Sequence, residues 1–382
     1  MTKVKLWLWL TLSKGISSGK ITALFGKFDT IEDIYKAGKA DYSGISGITL
    51  KDAEQLSDKN MKYAEKVIEE CKRKGIRILT FESPLYPQNL MNIFDPPYVL
   101  YVRSKEKLDL NKHLCIAVVG NRENTEYGRI VTEDIVGKLA KEGVTIVSGM
   151  AKGIDAIAHA SALQSGAKTI AVLGSGVDVC YPTENKNLMN AIIENGMVLS
   201  EFPPSMPPLK ANFPQRNRII SGLSAATLVT EAGNPSGSLI TASVALEQNR
   251  EVYAVPGNIT SKHSKGCNDL ISTTGAKMVV DAEDILVDFR DCYSDVLESN
   301  IPINKEEKDG EEQEFISMND KYKELSETEK LIVKSMSAVP IHIDALAEKT
   351  KLSAEELTSE LTLLEISGMV KSYRGKMFSI NI

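Results

Sequence analysis

The sequence predicts an α/β protein whose central part, from about residue 113 to 290, is a Rossmann-like parallel-sheet core. Six short apolar runs rich in Val and Ile recur at 113–119, 144–147, 169–173, 198–200, 226–230 and 251–255. Helix-length segments alternate with them, notably 126–142, 156–164 and 184–194. Glycines follow these helices at Gly143, Gly166 and Gly196, where a C-cap is expected. Strand, helix, strand at this spacing means a parallel sheet covered on both faces.

The flanks differ from this centre. Residues 1–72 read as a small helical domain, with apolar residues at Ile21, Leu24, Phe25 and Phe28 and a long amphipathic helix through 65–70. Between them lies Ser43-Gly44-Ile45-Ser46-Gly47-Ile48, followed by Lys51. Two glycines around an apolar residue suit a helix-hairpin-helix turn offering backbone N–H groups to phosphate. A plain tight turn between helices suits them better, because so short a pattern arises often by chance. The core domain is assigned to 73–290 and an acidic linker without apolar periodicity to 291–320. In residues 321–382, Ser326-Glu327-Thr328-Glu329 and Ser353-Ala354-Glu355-Glu356 are capping boxes, with a further helix at 343–349 between them. Residues 369–380, centred on Arg374-Gly375-Lys376, read as a hairpin. Three helices and a hairpin outline a winged helix.

At 382 residues the chain suits two or three domains, and 42% apolar residues are ample for a buried core. No apolar run is long enough to span a membrane, and Leu6-Trp7-Leu8-Trp9-Leu10 is too short for a signal peptide. The five cysteines are scattered and form no CxxC pair, which points to reduced thiols, no metal site and a cytoplasmic location. A net charge of −6 seems wrong for a nucleic-acid binder. However, residues 281–330 hold 17 acidic against 6 basic side chains, a net of −11, so the remainder carries +5. The overall charge therefore does not exclude DNA.

In an open parallel sheet, ligands bind beyond the carboxyl ends of the strands. Those positions are Gly120-Asn121-Arg122, Ser148-Gly149-Met150-Ala151-Lys152-Gly153-Ile154-Asp155, Gly174-Ser175-Gly176, Ser200-Glu201-Phe202, and Glu231 with Gly233, Gly237 and Ser238. Small residues let a backbone approach an anion, helix N-termini present free N–H groups, and Arg122 and Lys152 add positive charge. Glycines that merely turn corners are the alternative. Five strand ends in succession, two with an adjacent cation, favour phosphate. The segment Phe213-Pro214-Gln215-Arg216-Asn217-Arg218 adds two arginines that cannot both face the core, so at least one is expected to point outward. Neither Gly-x-Gly-x-x-Gly after the first core strand nor a Gly-Lys-Ser/Thr P-loop is present, which argues against NAD and ATP and leaves no expected cofactor.

The same residues resemble a known family. Residues 116–122, 146–156 and 173–178, with Tyr181-Pro182…Asn185, 199–204, 213–223, 236–242 and 254–257, look like the DNA-processing protein A (DprA/Smf) family. These stretches lie in order across most of residues 81–280, and the helical front (SAM/helix-hairpin-helix-like) and winged-helix end match the family's long form. The resemblance implies binding of single-stranded DNA entering the cell in natural transformation, its protection, and loading of the RecA recombinase onto it. It also implies a homodimer paired through the sheet edge near 239–246 and 271–280. The implied phosphate-contacting residues are Gly120, Asn121, Arg122, Ser148, Gly149, Lys152, Gly153, Gly174, Lys186, Arg216, Asn217 and Arg218. The family usually has Gly-Ser-Arg where this chain has Gly120-Asn121-Arg122, and commonly Arg at Lys152; neither departure removes the cation. Thr183 stands where some relatives carry Lys, a contact that Lys186 would replace.

A nucleotide phosphoribohydrolase on the same fold is the competing class. Glu201 and Glu231 sit at strand ends and suit a general acid and base. Yet Asn234-Pro235-Ser236-Gly237-Ser238 has no carboxylate close behind it, and no nucleophile accompanies the two glutamates. They are therefore expected to orient an arginine or a helix N-terminus, and no catalysis is expected. His159 is expected to be packed in the core.

Overall fold

The computed structural model describes residues 2–290, 292–293, 325–336, 341–366, 370–373 and 377–380. It divides into two compact units, residues 1–301 and 302–382. All but two residues of the segment expected as linker, and Arg374-Gly375-Lys376, lie outside the described residues.

The first unit is built on one nine-stranded sheet. Its strands are β1 (Arg77–Thr80), β2 (Val99–Arg103), β3 (Cys115–Gly120), β4 (Thr145–Ser148), β5 (Thr169–Val172), β6 (Met197–Ser200), β7 (Ala226–Glu231), β8 (Glu251–Ala254) and β9 (Lys277–Met278). Their order across the sheet is β1-β2-β6-β5-β4-β3-β7-β8-β9. The six expected strands all form and run parallel, joined by a seventh, β9. On the other edge β1 and β2 are antiparallel, so the sheet is mixed rather than purely parallel.

Side chains alternate across β3. Ile116 and Val118 pack with Ile135, Leu139, Ala158 and Ala162 of the helices Glu126–Lys141 and Ile154–Gln164. Ala117 and Val119 pack on the opposite face with Ile219, Ile220, Ala242 and Ala245 of the helices Asn212–Leu223 and Gly237–Glu247. Both faces are covered, which removes the need for polar alternation in the strand.

The front of the chain is helical and shares a core with this sheet. Trp7, Leu10, Ile21, Leu24, Val67 and Cys71 cluster with Tyr98, Tyr101, Leu173 and Val198. The Ser43–Ile48 stretch is an interhelical turn in which Gly44 and Gly47 both take φ +82°, a conformation that side chains with a Cβ rarely adopt. Ile45 and Ile48 tuck against the helical core.

The second unit has three helices, Glu327–Lys334, Ile343–Thr350 and Ala354–Ile366, and an antiparallel hairpin of β11 (Val370–Tyr373) and β12 (Met377–Ile380). A short strand β10 (Ile341–His342) adds to β12. This is the expected winged helix. Ser326 caps the first helix, accepting from the Glu329 N–H at 3.2 Å while Glu329 accepts from the Ser326 N–H at 2.7 Å. Ile332, Leu346, Leu357, Leu361 and Leu364 form its own core.

Candidate nucleic-acid interface

The strand order reverses at the β3–β7 pair: β4 to β6 extend to one side and β8 and β9 to the other. Chain segments leaving β3 and β7 diverge there and open a crevice at the strand ends. A hollow of about 400 Å³ occupies it, lined by Gly120 and Arg122 after β3, by Ser236, Gly237, Ser238 and Thr241 after β7, and by Phe213, Arg216 and Asn217 from the helix before β7. A smaller hollow beside it is lined by Arg122, Gly149, Lys152, Tyr181, Phe213 and Arg216. Arg122, Ala151, Phe213 and Arg216 form the wall common to both.

The two arginines reach that wall differently. Arg122 is exposed, makes no ion pair among the described residues, and stands with its guanidinium carbon 5.9 Å from the Phe213 ring centroid. Arg216 lies at the same 5.9 Å from that centroid. It is only 4% exposed, and its Nη1 donates to the carbonyls of Gly149 and Val172. Burial lowers its guanidinium to about 10, which leaves it charged at neutral pH. Buried Asp155 supports it electrostatically while accepting from the N–H groups of Gly149 (3.2 Å) and Ala151 (3.3 Å). Burial also raises the Asp155 carboxyl, against the pull of Arg216.

Glycines build this floor. A Cβ on Gly149 would lie 2.7 Å from Arg216 Nη2, so only glycine admits the guanidinium there. Gly153 has φ +76°, and a Cβ on it would strike the Asn121 carbonyl. The close approach inferred for these glycines is thus made to protein groups first. Gly237 is different: a Cβ there would meet nothing within 4 Å. It opens an eleven-residue helix whose N-cap, Ser236, accepts from the Ser238 N–H. That helix end lines the hollow; Ser236 takes up the N–H groups of Ser238 and Leu239, which leaves the N–H of Gly237 at the opening.

Aromatic groups were absent from the residues expected at the site. Phe213 packs on Tyr181 at 5.6 Å between centroids, and Tyr181 is 48% exposed. Phe213 lies within the motif read from the sequence, where nothing in the local pattern separates a stacking ring from a core one. Ser236 and Thr241 carried no signal beyond being small and polar.

Several expected contacts are placed elsewhere. Ser148 is fully buried and donates to the Val118 carbonyl at 2.6 Å. Gly174 is buried, with its carbonyl accepting from Asn212. The Asn121 amide is spent within the protein, donating to Glu231 at 3.1 Å and accepting from the Gly233 N–H at 3.1 Å. Lys152 reaches the smaller hollow but is paired with Glu184 at 2.7 Å, a solvent-exposed pair of little strength. Lys186 is exposed at the start of the helix Lys186–Asn195 and lines neither hollow.

Arg218 corrects the expectation that one arginine of the pair must point outward. Its side chain is 12% exposed and is held by Asp95 at 3.0 Å and Glu201 at 2.7 Å. Both arginines are largely buried because each finds polar partners on a different side of the helix. Glu201 thereby orients an arginine, and burial raises its carboxyl. Glu231 accepts from the Thr125 N–H at 3.1 Å, at the N-terminus of the helix Glu126–Lys141. Neither glutamate lines the hollow at the β3–β7 crevice.

The fold agrees with comparisons to known proteins. Residues 77–290 match the family model described as DNA recombination-mediator protein A, and residues 318–376 match the DprA winged helix domain. The chain is 32% identical to Protein Smf of Synechocystis over 97% of both chains. It belongs to the DprA/Smf family. Among solved DprA structures, that of Streptococcus pneumoniae superposes with a TM-score of 0.60 at 36% identity, covering 71% of this chain and 98% of that one. The Helicobacter pylori DNA processing protein A, whose structure is described for its single-stranded DNA binding mode, gives a TM-score of 0.52 at 30% identity. It covers 57% of this chain and 97% of that one. No helix among the described residues of this family member is long and apolar enough to cross a membrane.

Proposed function

We propose that this chain binds single-stranded DNA through its phosphate backbone at the β3–β7 crevice, protects it, and passes it to RecA. One observation carries this reading: Arg122 and Arg216 both stand 5.9 Å from the centre of the Phe213 ring, beside the N-terminus of the helix Gly237–Glu247. Two cations and the positive end of the helix dipole suit phosphate, while the exposed Tyr181 ring offers a stacking face to an unpaired base. A hollow of about 400 Å³ has room for a nucleotide. Gly120, Arg122, Lys152, Arg216 and Asn217 are the proposed contacts on residues 73–290, with Gly149 serving to seat Arg216. Titration with single- and double-stranded oligonucleotides of equal length at several salt concentrations is the test. Equal affinity for both overturns it.

The chain is proposed to act without catalysis, since the glutamates that suited an acid and base are committed to Arg218 and to a helix N-terminus. Sustained release of free base from AMP, abolished by Glu231→Gln, overturns this. Pairing into a homodimer is supported by Ile240, Leu246, Met278 and Val280, which are 39–69% exposed on the proposed edge. Sedimentation at tens of micromolar tests it, and a single monomeric species counts against it. Transfer to RecA rests on family membership.

A further inference from the structure

The smaller hollow beside the β3–β7 crevice measures about 90 Å³, far below the roughly 300 Å³ at which small-molecule sites begin, so it suits a phosphate group rather than a whole nucleotide. Arg122, Lys152 and Arg216 line it, and each is balanced differently. Arg122 is exposed and makes no ion pair among the described residues. Arg216 is buried near Asp155, a carboxylate that is itself buried and committed to the N–H groups of Gly149 and Ala151. Lys152 is paired with Glu184 at 2.7 Å, and the two side chains are 59% and 63% exposed. Asp155 is fixed in place. Glu184 is free to leave its partner, because a solvent-exposed pair is weak.

The fold nevertheless keeps Glu184 at this lysine. It lies in the one-turn 3₁₀ helix Thr183–Asn185, directly after Tyr181 and Pro182, which line the hollow. The next residue, Asn185, donates from Nδ2 to the Met150 carbonyl at 3.0 Å and to the Ala151 carbonyl at 3.4 Å. That ties the turn to the loop carrying Lys152. The loop needs such a tie, since Met150 takes φ +56°, which side chains with a Cβ rarely adopt. Lys152 in turn holds the Glu184 carboxyl below the usual carboxylate range, so it stays charged at neutral pH.

We propose that Glu184 competes with DNA phosphate for the Lys152 ammonium, so that a strand must displace this carboxylate before it gains the cation. The proposal rests on the single-stranded DNA reading above. A phosphate arriving at Lys152 meets a negative charge already in place, and the displaced Glu184 then stands close to it. Affinity is thereby held down by one local carboxylate, whatever the net charge of −6 contributes from further away. Counterion release is reduced as well, since the displaced carboxylate takes up a cation while the phosphate gives one up.

Titration of the full chain with one single-stranded oligonucleotide across a salt series tests this, in the parent, Glu184→Gln, Lys152→Ala and the double variant. Glu194→Gln is the control: it removes a comparably exposed glutamate, paired with Lys105 at 2.8 Å, near the far end of the helix Lys186–Asn195. At low salt Glu184→Gln is expected to bind about three- to fivefold more tightly than the parent, with a salt slope steeper by up to about one contact's worth. Glu194→Gln should bind as the parent does. In the Lys152→Ala background the gain from Glu184→Gln should shrink to within about 1.5-fold, since the two residues act as one unit. Unchanged or weaker binding in Glu184→Gln, an equal gain in Glu194→Gln, or an undiminished gain without Lys152 overturns the proposal. A parent that binds no single-stranded DNA overturns the DNA reading and this proposal with it, whereas a parent that binds while Glu184→Gln matches it overturns the proposal alone.

Discussion

Arg216 donates from Nη1 to the Gly149 carbonyl at 2.7 Å, and this contact fixes the floor of the crevice. A buried arginine held by backbone carbonyls is both a structural tie and a fixed charge. Arg122 lies at the same distance from Phe213 but is exposed. The two should therefore separate in mutation. Arg216→Lys should lower both stability, by roughly 2 kcal/mol or more, and DNA affinity, because a point charge cannot replace the fork. Arg122→Ala should leave stability within about 0.5 kcal/mol. It should weaken binding on all sequences and lower the salt slope by about one contact's worth. Denaturant melts paired with salt-dependent titrations decide between these outcomes, and equal stability loss in both variants would contradict the assignment.

Gly237 permits a cleaner test of the helix terminus. Nothing lies within 4 Å of a Cβ built there, and the position opens the helix Gly237–Glu247. Gly237→Asp places a carboxylate where the helix dipole favours it, so stability should hold or rise by a few tenths of a kcal/mol. The same carboxylate should repel phosphate. A variant that folds as well as the parent but binds single-stranded DNA at least about tenfold more weakly is expected. Unchanged affinity would remove this helix from the interface.

Acid should act on the core through His159. It is fully buried, its Nδ1 lies 2.7 Å from Thr169 Oγ1, and Nε2 has no partner among the described residues. The Thr169 hydroxyl donates to the Ile146 carbonyl, so it accepts from the Nδ1–H of a neutral ring. Burial pushes the imidazole down to about 3. The unfolded chain binds this proton below about pH 6.5 and the folded one does not. The stabilising contribution is thus complete above that pH and is lost as pH falls toward 3, at up to about 1.4 kcal/mol per unit. Asp155, raised by burial, has the opposite slope. The difference between parent and His159→Gln is therefore the readout. Denaturation series from pH 7 to 4 should show a flatter slope in the variant, and parallel slopes would contradict the assignment.

The parallel strands were legible because they are short β-branched and apolar runs followed by helices; Cys115–Gly120 and Ala226–Glu231 are examples. The antiparallel pair was not. Arg77–Thr80 and Val99–Arg103 follow no strand–helix alternation, and Pro96-Pro97 interrupts the approach to the second. At the site, Arg122 and Lys152 were legible as cations at strand ends. Burial of both Arg216 and Arg218 was not, since it depends on Gly149 and Val172 lying on one side of the helix and Asp95 and Glu201 on the other. Those partners lie 17 to 123 residues away in sequence. Periodicity sees only neighbours on the chain.

The winged-helix unit should not read duplex DNA through its third helix. In a helix-turn-helix that helix enters the major groove and meets closely spaced phosphates. The helix Ala354–Ile366 turns Leu357, Leu361 and Leu364 into its own core. Glu356 and Glu365 are exposed on it, Glu360 is half-buried, and its sequence contains no Lys or Arg. Carboxylates brought against phosphate repel it, and without cations there is no counterion release to drive binding. Docking of a protein surface, or of a second copy of the unit, suits this face better. Because the unit has a separate core, it can be examined alone. A chain ending at residue 301 should keep single-stranded DNA affinity within about twofold of the parent. Residues 302–382 alone should bind duplex DNA only weakly at physiological salt. Loss of most single-stranded affinity on truncation, or tight duplex binding by the isolated unit, would show that the third helix or its hairpin touches DNA after all.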